Sequence, residues 1–395
     1  MKFKRVISIC LAAAMMFGLT ACGEKDKGSD DTIKIGLMGC FSGEYSVYGN
    51  AVANGATLYF KELNAAGGIN GKQVEIVKYD DRGDATEAIT AYSRMKEDGV
   101  VAVLGSVLTG STLALVDEAY EDNMPVITAS ATAAGVTLLD PEKPSAGVRE
   151  NVFRACFIDP FQGEKMADYA YNKLGAKTAA IIFETGSDYS EGVKDAFVEK
   201  AKELGLTVTS AQGYATGDKD FRAQLTTIKS ENPDVIFCPN YYEDCGMIVT
   251  QARQVGLTCT FMGADGWGGI KDYASAADLE GSVYCSGYAP GTTEAVKTFE
   301  ANYQKEYSAE VPNMFAPLAY DAAKLLCAAI GEAEKAGKKA GSDAYSQAVI
   351  DALNATNGIA GITSDSYAFD EYNNPIKAAA IIELKSGAET FKEMY

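Results

Sequence analysis

Residues 99–137 read GVVAVLGSVLTGSTLALVDEAYEDNMPVITASATAAGVT, and their pattern decides the fold class. Two short apolar runs, 100–105 and 125–128, flank one amphipathic helical stretch. Each run ends in a turn of small and hydroxyl-bearing residues. The first is Gly105-Ser106-Val107-Leu108-Thr109-Gly110-Ser111-Thr112 and the second is Ala129-Ser130-Ala131-Thr132. In a parallel sheet both turns leave the carboxyl edge, where open α/β sheets bind their ligands. Small side chains expose backbone N–H groups at a helix start, and the hydroxyls add donors, an arrangement suited to an anion such as a carboxylate. The same residues also make ordinary helix N-caps, so this stretch alone leaves both readings open. A phosphate loop fits less well, because Ser111 stands where the G-x-x-x-x-G-K-[ST] pattern needs its lysine.

The alternation extends in both directions. Residues 32–38 (TIKIGLM) predict a buried strand, followed by a helix with Val52, Ala56, Tyr59, Phe60 and Leu63 on one stripe. Gly67-Gly68-Ile69-Asn70-Gly71 stops that helix and turns the chain into a strand over 73–80. From Val152 the pattern restarts, with strands expected at 177–184, 206–210, 234–238, 259–263 and 282–289. Polar turns again follow them: Thr185 to Ser190, Asn240-Tyr241-Tyr242-Glu243, and Ala264-Asp265-Gly266-Trp267-Gly268-Gly269. Helices near 293–307, 315–336 and 343–356 and strand-like runs at 363–369 and 376–384 complete the chain. The expected fold is α/β, two doubly wound lobes with the chain recrossing between them.

The chain has 395 residues, enough for two sizeable cores. Its first 21 residues stand apart: Lys2, Lys4 and Arg5 precede an apolar run over 6–19 that ends in Leu19-Thr20-Ala21-Cys22. This is the pattern of an export signal, too short for a stable membrane span. The ending resembles the bacterial lipobox, which makes Cys22 the lipidated residue and 22–31 a flexible tether. Removing 1–21 takes away those three cations and leaves 32 basic against 54 acidic residues, a formal charge of −22. That charge argues against a nucleic-acid partner. The chain has no histidine, which removes the usual general base and zinc ligand. The nine cysteines show no metal spacing. No cofactor and no metal are expected.

Several further residues occur in a definite order: 33–38, Ser42-Gly43, Tyr48-Gly49, the run ELNAAGGING over 62–71, Asp80-Asp81 and the Ser130-Ala131-Thr132 turn. Together they resemble the branched-chain amino acid-binding proteins of ABC importers, with the type I periplasmic-binding-protein fold. The resemblance covers 32 to 395. It implies two lobes, 32–156 with 287–363 and 157–286 with 364–395, joined by a hinge of three crossovers. It implies that Thr109 and Thr132 with the backbone of Ser130 hold an α-carboxylate, with Ala131 among the ligand-binding residues of the same turn. Tyr189, Tyr241 and Asp265 correspond to the facing lobe, with Asp265 meeting the ammonium. Tyr48 corresponds to a side-chain pocket residue that Tyr45 joins, and Trp267 is placed at or inside the cleft mouth. Aspartate at 265 departs from the glutamate frequent in this family. The implied protein is an extracytoplasmic, lipid-anchored monomer that binds a small amino acid, aliphatic first, and delivers it to an ABC permease. Other readings are a same-fold protein for an amide, urea-like or nucleoside ligand, a receptor component, or a hydrolase using Asp265 and a tyrosine.

Overall fold

The computed structural model describes residues 32–395. The expected signal segment 1–21, the expected tether 22–31 and Cys22 lie outside the described residues. The first sheet holds β1 (Thr32–Gly39), β2 (Gln73–Asp80), β3 (Ala102–Leu104), β4 (Val126–Thr128) and β5 (Val152–Arg154), all parallel in the order β2-β1-β3-β4-β5. Helices α1 (Ser46–Ala65), α2 (Ala85–Glu97) and α3 (Thr109–Glu121) connect its first strands. The register pairs Ile35 with both Ile76 and Ala102. β3 and β4 are buried along their whole length, as strands covered by helices on both faces must be.

After β5 the chain crosses to the second lobe through α4 (Asp159–Asn172). Five parallel strands follow: β6 (Thr178–Thr185), β7 (Thr207–Ala215), β8 (Val235–Cys238), β9 (Thr260–Gly263) and β10 (Val283–Ser286). Among them run α5 (Asp188–Leu204), α6 (Arg222–Glu231), α7 (Tyr242–Gln254) and the short α8 (Ala276–Leu279). The chain then returns to the first lobe with α9 (Glu294–Tyr307), α10 (Phe315–Lys335) and α11 (Asp343–Asn354). α10 packs directly on α1. A Cβ on Gly55 would lie 1.9 Å from the Ala316 carbonyl oxygen, so only glycine permits this approach. A small antiparallel pair, β11 (Asn357–Ile359) and β12 (Tyr367–Ala368), precedes the last crossing. Finally β13 (Ala380–Lys385) and β14 (Ala388–Met394) add antiparallel strands beside β10.

Three crossings therefore join the lobes. The third, however, comes later than the expected boundary at 363. Segment 364–374 stays with the first lobe: Tyr367 donates from its hydroxyl to Asp321 on α10 at 3.0 Å, Phe369 packs against Phe153, and Asn373 donates to the carbonyls of Arg149 and Val152. The late apolar run at 363–369 is mostly loop, with strand only at Tyr367–Ala368, and at its start the N–H groups of Ile362 and Thr363 donate to the buried Asp321 carboxylate. α4 and β14 were not expected. Pro160 and Gly163 obscure the helical pattern of α4, yet Gly163 is what lets α4 press onto the α5 backbone at Val193.

Candidate functional site

The expected cleft residues lie in the loops and helix starts that follow the carboxyl ends of strands, with Tyr45 and Tyr48 at the start of α1 after β1. On the first lobe the turn after β3 delivers Thr109, which opens α3. No side chain caps that helix, so its first turn is an anion-accepting end. The turn after β4 delivers Ser130 and Thr132, 7% and 1% exposed. On the second lobe, β6 leads to Tyr189 in the first turn of α5, β8 leads to Tyr241 at the start of α7, and β9 leads to Asp265. A narrow cavity is lined by Tyr48, Val107, Leu108, Thr109, Ser130, Thr132, Tyr189, Tyr241, Asp265, Gly266 and Phe315. Its free volume is about 10 Å³, the room of about one water. A larger molecule enters only when the lobes part.

The second-lobe side is tightly bonded. The Tyr189 hydroxyl donates to Asp265 Oδ1 at 2.7 Å and accepts from the Gly266 N–H at 2.9 Å. Tyr189 stacks face to face on Tyr241, with centroids 4.9 Å apart. The Asp265 N–H donates to Gln162 Oε1 at 2.8 Å. Burial pushes the Asp265 carboxyl up to about 6, although the Tyr189 and Gln162 bonds draw it back. A buried carboxylate in this state gains most from a cation that replaces its lost hydration. Tyr48 bridges the lobes: its hydroxyl donates to the Gly266 carbonyl at 2.5 Å and accepts from the Tyr242 N–H at 3.1 Å.

Three expected residues are placed differently. Trp267 is fully buried in its own lobe, and its indole N–H donates to the Cys238 carbonyl at 2.8 Å. It does not line the cavity, because Gly263 leaves space directly under the ring and draws it inward. Ala131 also stays behind the lining. Its N–H donates to Thr128 Oγ1 at 3.1 Å and its carbonyl accepts from Arg154 at 3.0 Å. Tyr45 touches the site through an edge-on contact with Tyr241, centroids 5.1 Å apart, and is not part of the lining.

Sequence reasoning missed four supporting residues. Arg154, fully buried, donates to the carbonyls of Ala131 and Ala133 and to Thr137 Oγ1, and so props the turn after β4. Asn240 accepts from the Glu184 N–H and the Ser190 hydroxyl and donates to the Ile182 carbonyl, tying the Tyr241 turn to the Tyr189 turn. Gln162 holds Asp265. Asp159, at the start of α4, has neither carboxyl oxygen within good hydrogen-bond geometry. Burial pushes its carboxyl well above the ordinary range, more than the Thr132 hydroxyl draws it down, and the Asp265 charge adds to the rise. The one signal for Arg154, Asp159 and Gln162 was their polar side chains in an otherwise apolar crossing, 152–162, and Asn240 stood in the polar turn after β8.

Two lobes closing over donors on one side and a buried carboxylate on the other define a ligand-clasping binding protein. The family described as periplasmic binding protein matches residues 32–389, and the chain belongs to that family. It is 33% identical over 248 residues to a leucine-, isoleucine-, valine-, threonine- and alanine-binding protein of Pseudomonas aeruginosa, a match spanning 63% of this chain and 64% of that protein. It is 28% identical to a Leu/Ile/Val-binding protein homologue of Brucella melitensis over 92% of this chain and 93% of the other. Among solved structures, the branched-chain amino acid transporter substrate-binding protein of Streptococcus pneumoniae, in complex with isoleucine, superposes with a TM-score of 0.81 at 32% identity, covering 91% of this chain and 99% of that one. A leucine-binding protein of Thermotoga maritima gives 0.82 at 30% identity, covering 92% and 98%.

Proposed function

We propose that this protein captures a free aliphatic L-amino acid, branched-chain first, and hands it to the permease of an ABC importer. The observation that carries this reading is the pairing across the cleft of the Thr109 and Thr132 donors with the buried Asp265 carboxylate, Ser130 lining the same wall with its hydroxyl donated to the Val107 carbonyl at 2.7 Å. The α-carboxylate belongs at the uncapped start of α3 and the turn after β4, and the ammonium belongs at Asp265. Each ligand charge then meets its opposite on leaving water. Val107, Leu108, Tyr48, Tyr241 and Phe315 supply an apolar surface for the side chain. No bond in the ligand is made or broken. The names of the relatives in Pseudomonas and Brucella and the isoleucine in the Streptococcus structure support the same ligand class. Calorimetry of ligand-stripped protein against all twenty amino acids is the test. The expected result is one site at low micromolar affinity or tighter, about −8 kcal/mol. No heat from any amino acid, or heat only from an amide or nucleoside, overturns the reading.

The same proposal places a monomer outside the cytoplasm, held to the membrane by acylated Cys22. One acyl chain anchors marginally and two anchor stably. Cys22→Ser should move the protein from the membrane to the soluble extracytoplasmic fraction while the purified protein keeps its affinity. A Cys22→Ser protein that stays with the membrane refutes the anchor.

A further inference from the structure

At the mouth of the closed cleft the first lobe brings Glu44, in the turn before α1, against a group of acids on the second lobe. Glu243 and Asp244 lie in the first turn of α7, and Glu184 lies near the end of β6. Their shared field is visible at Tyr45, whose hydroxyl is raised first by burial and then by Glu44, Glu184, Asp244 and Glu243. Closure therefore presses like charges together. One cation stands between them. Lys219 Nζ lies 2.9 Å from Glu44 Oε1, 3.6 Å from Asp244 Oδ1 and 3.7 Å from Glu243 Oε1. Among the described residues no other lysine or arginine pairs with any of these three. Asp244 is largely buried, and its Oδ1 has no hydrogen-bond partner.

The position of Lys219 is fixed from behind. Its carbonyl accepts from Gln251 Nε2 at 2.9 Å, and the Phe221 N–H donates to Gln251 Oε1 at 2.8 Å, which pins the loop to α7. Beside it, the Tyr242 hydroxyl donates across the cleft to the Glu44 carbonyl at 2.6 Å and sets the register of the two lobes.

We propose that Lys219 is the electrostatic latch of the closed form: the charge that turns repulsion between Glu44 and the second-lobe acids into attraction, and so sets how long the lobes stay shut. It is a positioning residue, outside the lining of the ligand cavity. The latch rests on closure of the two lobes and not on the identity of the ligand. Lys219 is about half exposed, so substitutions there leave the fold intact.

The test is a set of four proteins: the parent, Lys219→Met, Lys219→Arg, and the double variant Lys219→Met with Glu44→Gln. Spin labels at the exposed Thr86 and Thr226 report the distance between lobes at low salt, with and without saturating L-leucine. Stopped flow reports L-leucine dissociation. Lys219→Met is expected to shift the population to longer distances and to speed dissociation about fivefold to tenfold. That exceeds an exposed ion pair alone, because the remaining acids now repel. Lys219→Arg should stay near the parent, and Glu44→Gln in the Lys219→Met background should recover most of the closed population, because it removes the repulsion. Unchanged distances and rates in Lys219→Met overturn the proposal. So does a double variant as open as the single one, since the lysine would then act by packing. A parent that ignores L-leucine speaks against the amino-acid reading and leaves the distance comparison to decide the latch.

Discussion

Asp265 carries opposite obligations in the empty and the loaded protein. Its folded pKa, about 6, lies above the ordinary carboxylate value of 3.8 because burial disfavours the charge. A raised folded pKa means stability that is present at low pH and lost as pH rises through about 6. The full shift corresponds to about 3 kcal/mol, lost between about pH 3 and pH 7. A bound ammonium reverses the sign, because it needs the ionised form. Affinity for a zwitterion should therefore fall about tenfold between pH 7.5 and pH 5, while the melting temperature of the ligand-free protein rises over the same interval. Titration calorimetry and thermal melts across pH check both halves. Asp265→Asn should stabilise the ligand-free protein above pH 6 and weaken amino-acid binding by about 2–5 kcal/mol. Thr132→Val removes a neutral donor and should cost about 1–3 kcal/mol of binding. An Asp265→Asn protein that binds as tightly as the parent refutes the ammonium assignment.

At the scale of elements, the site is a set of strand ends, and the sequence made most of them legible. Small hydroxyl residues directly after short apolar runs located Thr109, Ser130 and Thr132, the family resemblance singled out Tyr189, Tyr241 and Asp265 in the polar turns of the second lobe, and all six line one cavity. What the pattern could not convey is which way a side chain turns within a loop. Trp267 is two residues from Asp265, yet the 3₁₀ turn of residues 265–267 rotates it away from Asp265 and over Gly263. Its emission should be short-wavelength in the free protein and nearly unchanged on binding, and a large shift at saturation would place it back at the cleft. Crossings were the other blind spot. Arg154, Asp159 and Gln162 sit where chain leaves one sheet for the other, and their partners are far away in sequence, so no local period marks them. Gly266 belongs to the same lesson. A Cβ there would meet the Asn240 carbonyl at 2.6 Å and the Tyr189 hydroxyl at 2.8 Å. Gly266→Ala should therefore push Tyr189 off Asp265 and lower affinity at least tenfold with little loss of fold, as read by circular dichroism beside calorimetry.

For the whole molecule, the cavity and the hinge make ligand binding a coupling between two lobes with separate sheets. The first crossing and third crossing are bolted to each other on the first-lobe side. Lys377 Nζ donates to the Ala155 carbonyl at 3.2 Å and to Thr363 Oγ1 at 2.7 Å, while the Thr363 hydroxyl donates to the buried Asp321 at 2.7 Å. Burial draws the Lys377 ammonium down to about 8, against the pull of Asp321 and Cys156. Lobe motion thus pivots on segments that are held firmly, and the energy of closure resides in the cleft contacts and the ligand. A ligand that touches both lobes binds the closed form and not the unfolded chain. At a hundred times its Kd it should add about 2.7 kcal/mol to global stability. The increment should appear in both lobes together, because neither can unfold without releasing it. Differential scanning calorimetry with and without L-leucine, paired with hydrogen exchange read separately on β1 and β6, checks this. Equal protection gained in β1 and β6 is the expected result; protection confined to one lobe would mean a ligand held by that lobe alone, with closure a separate event.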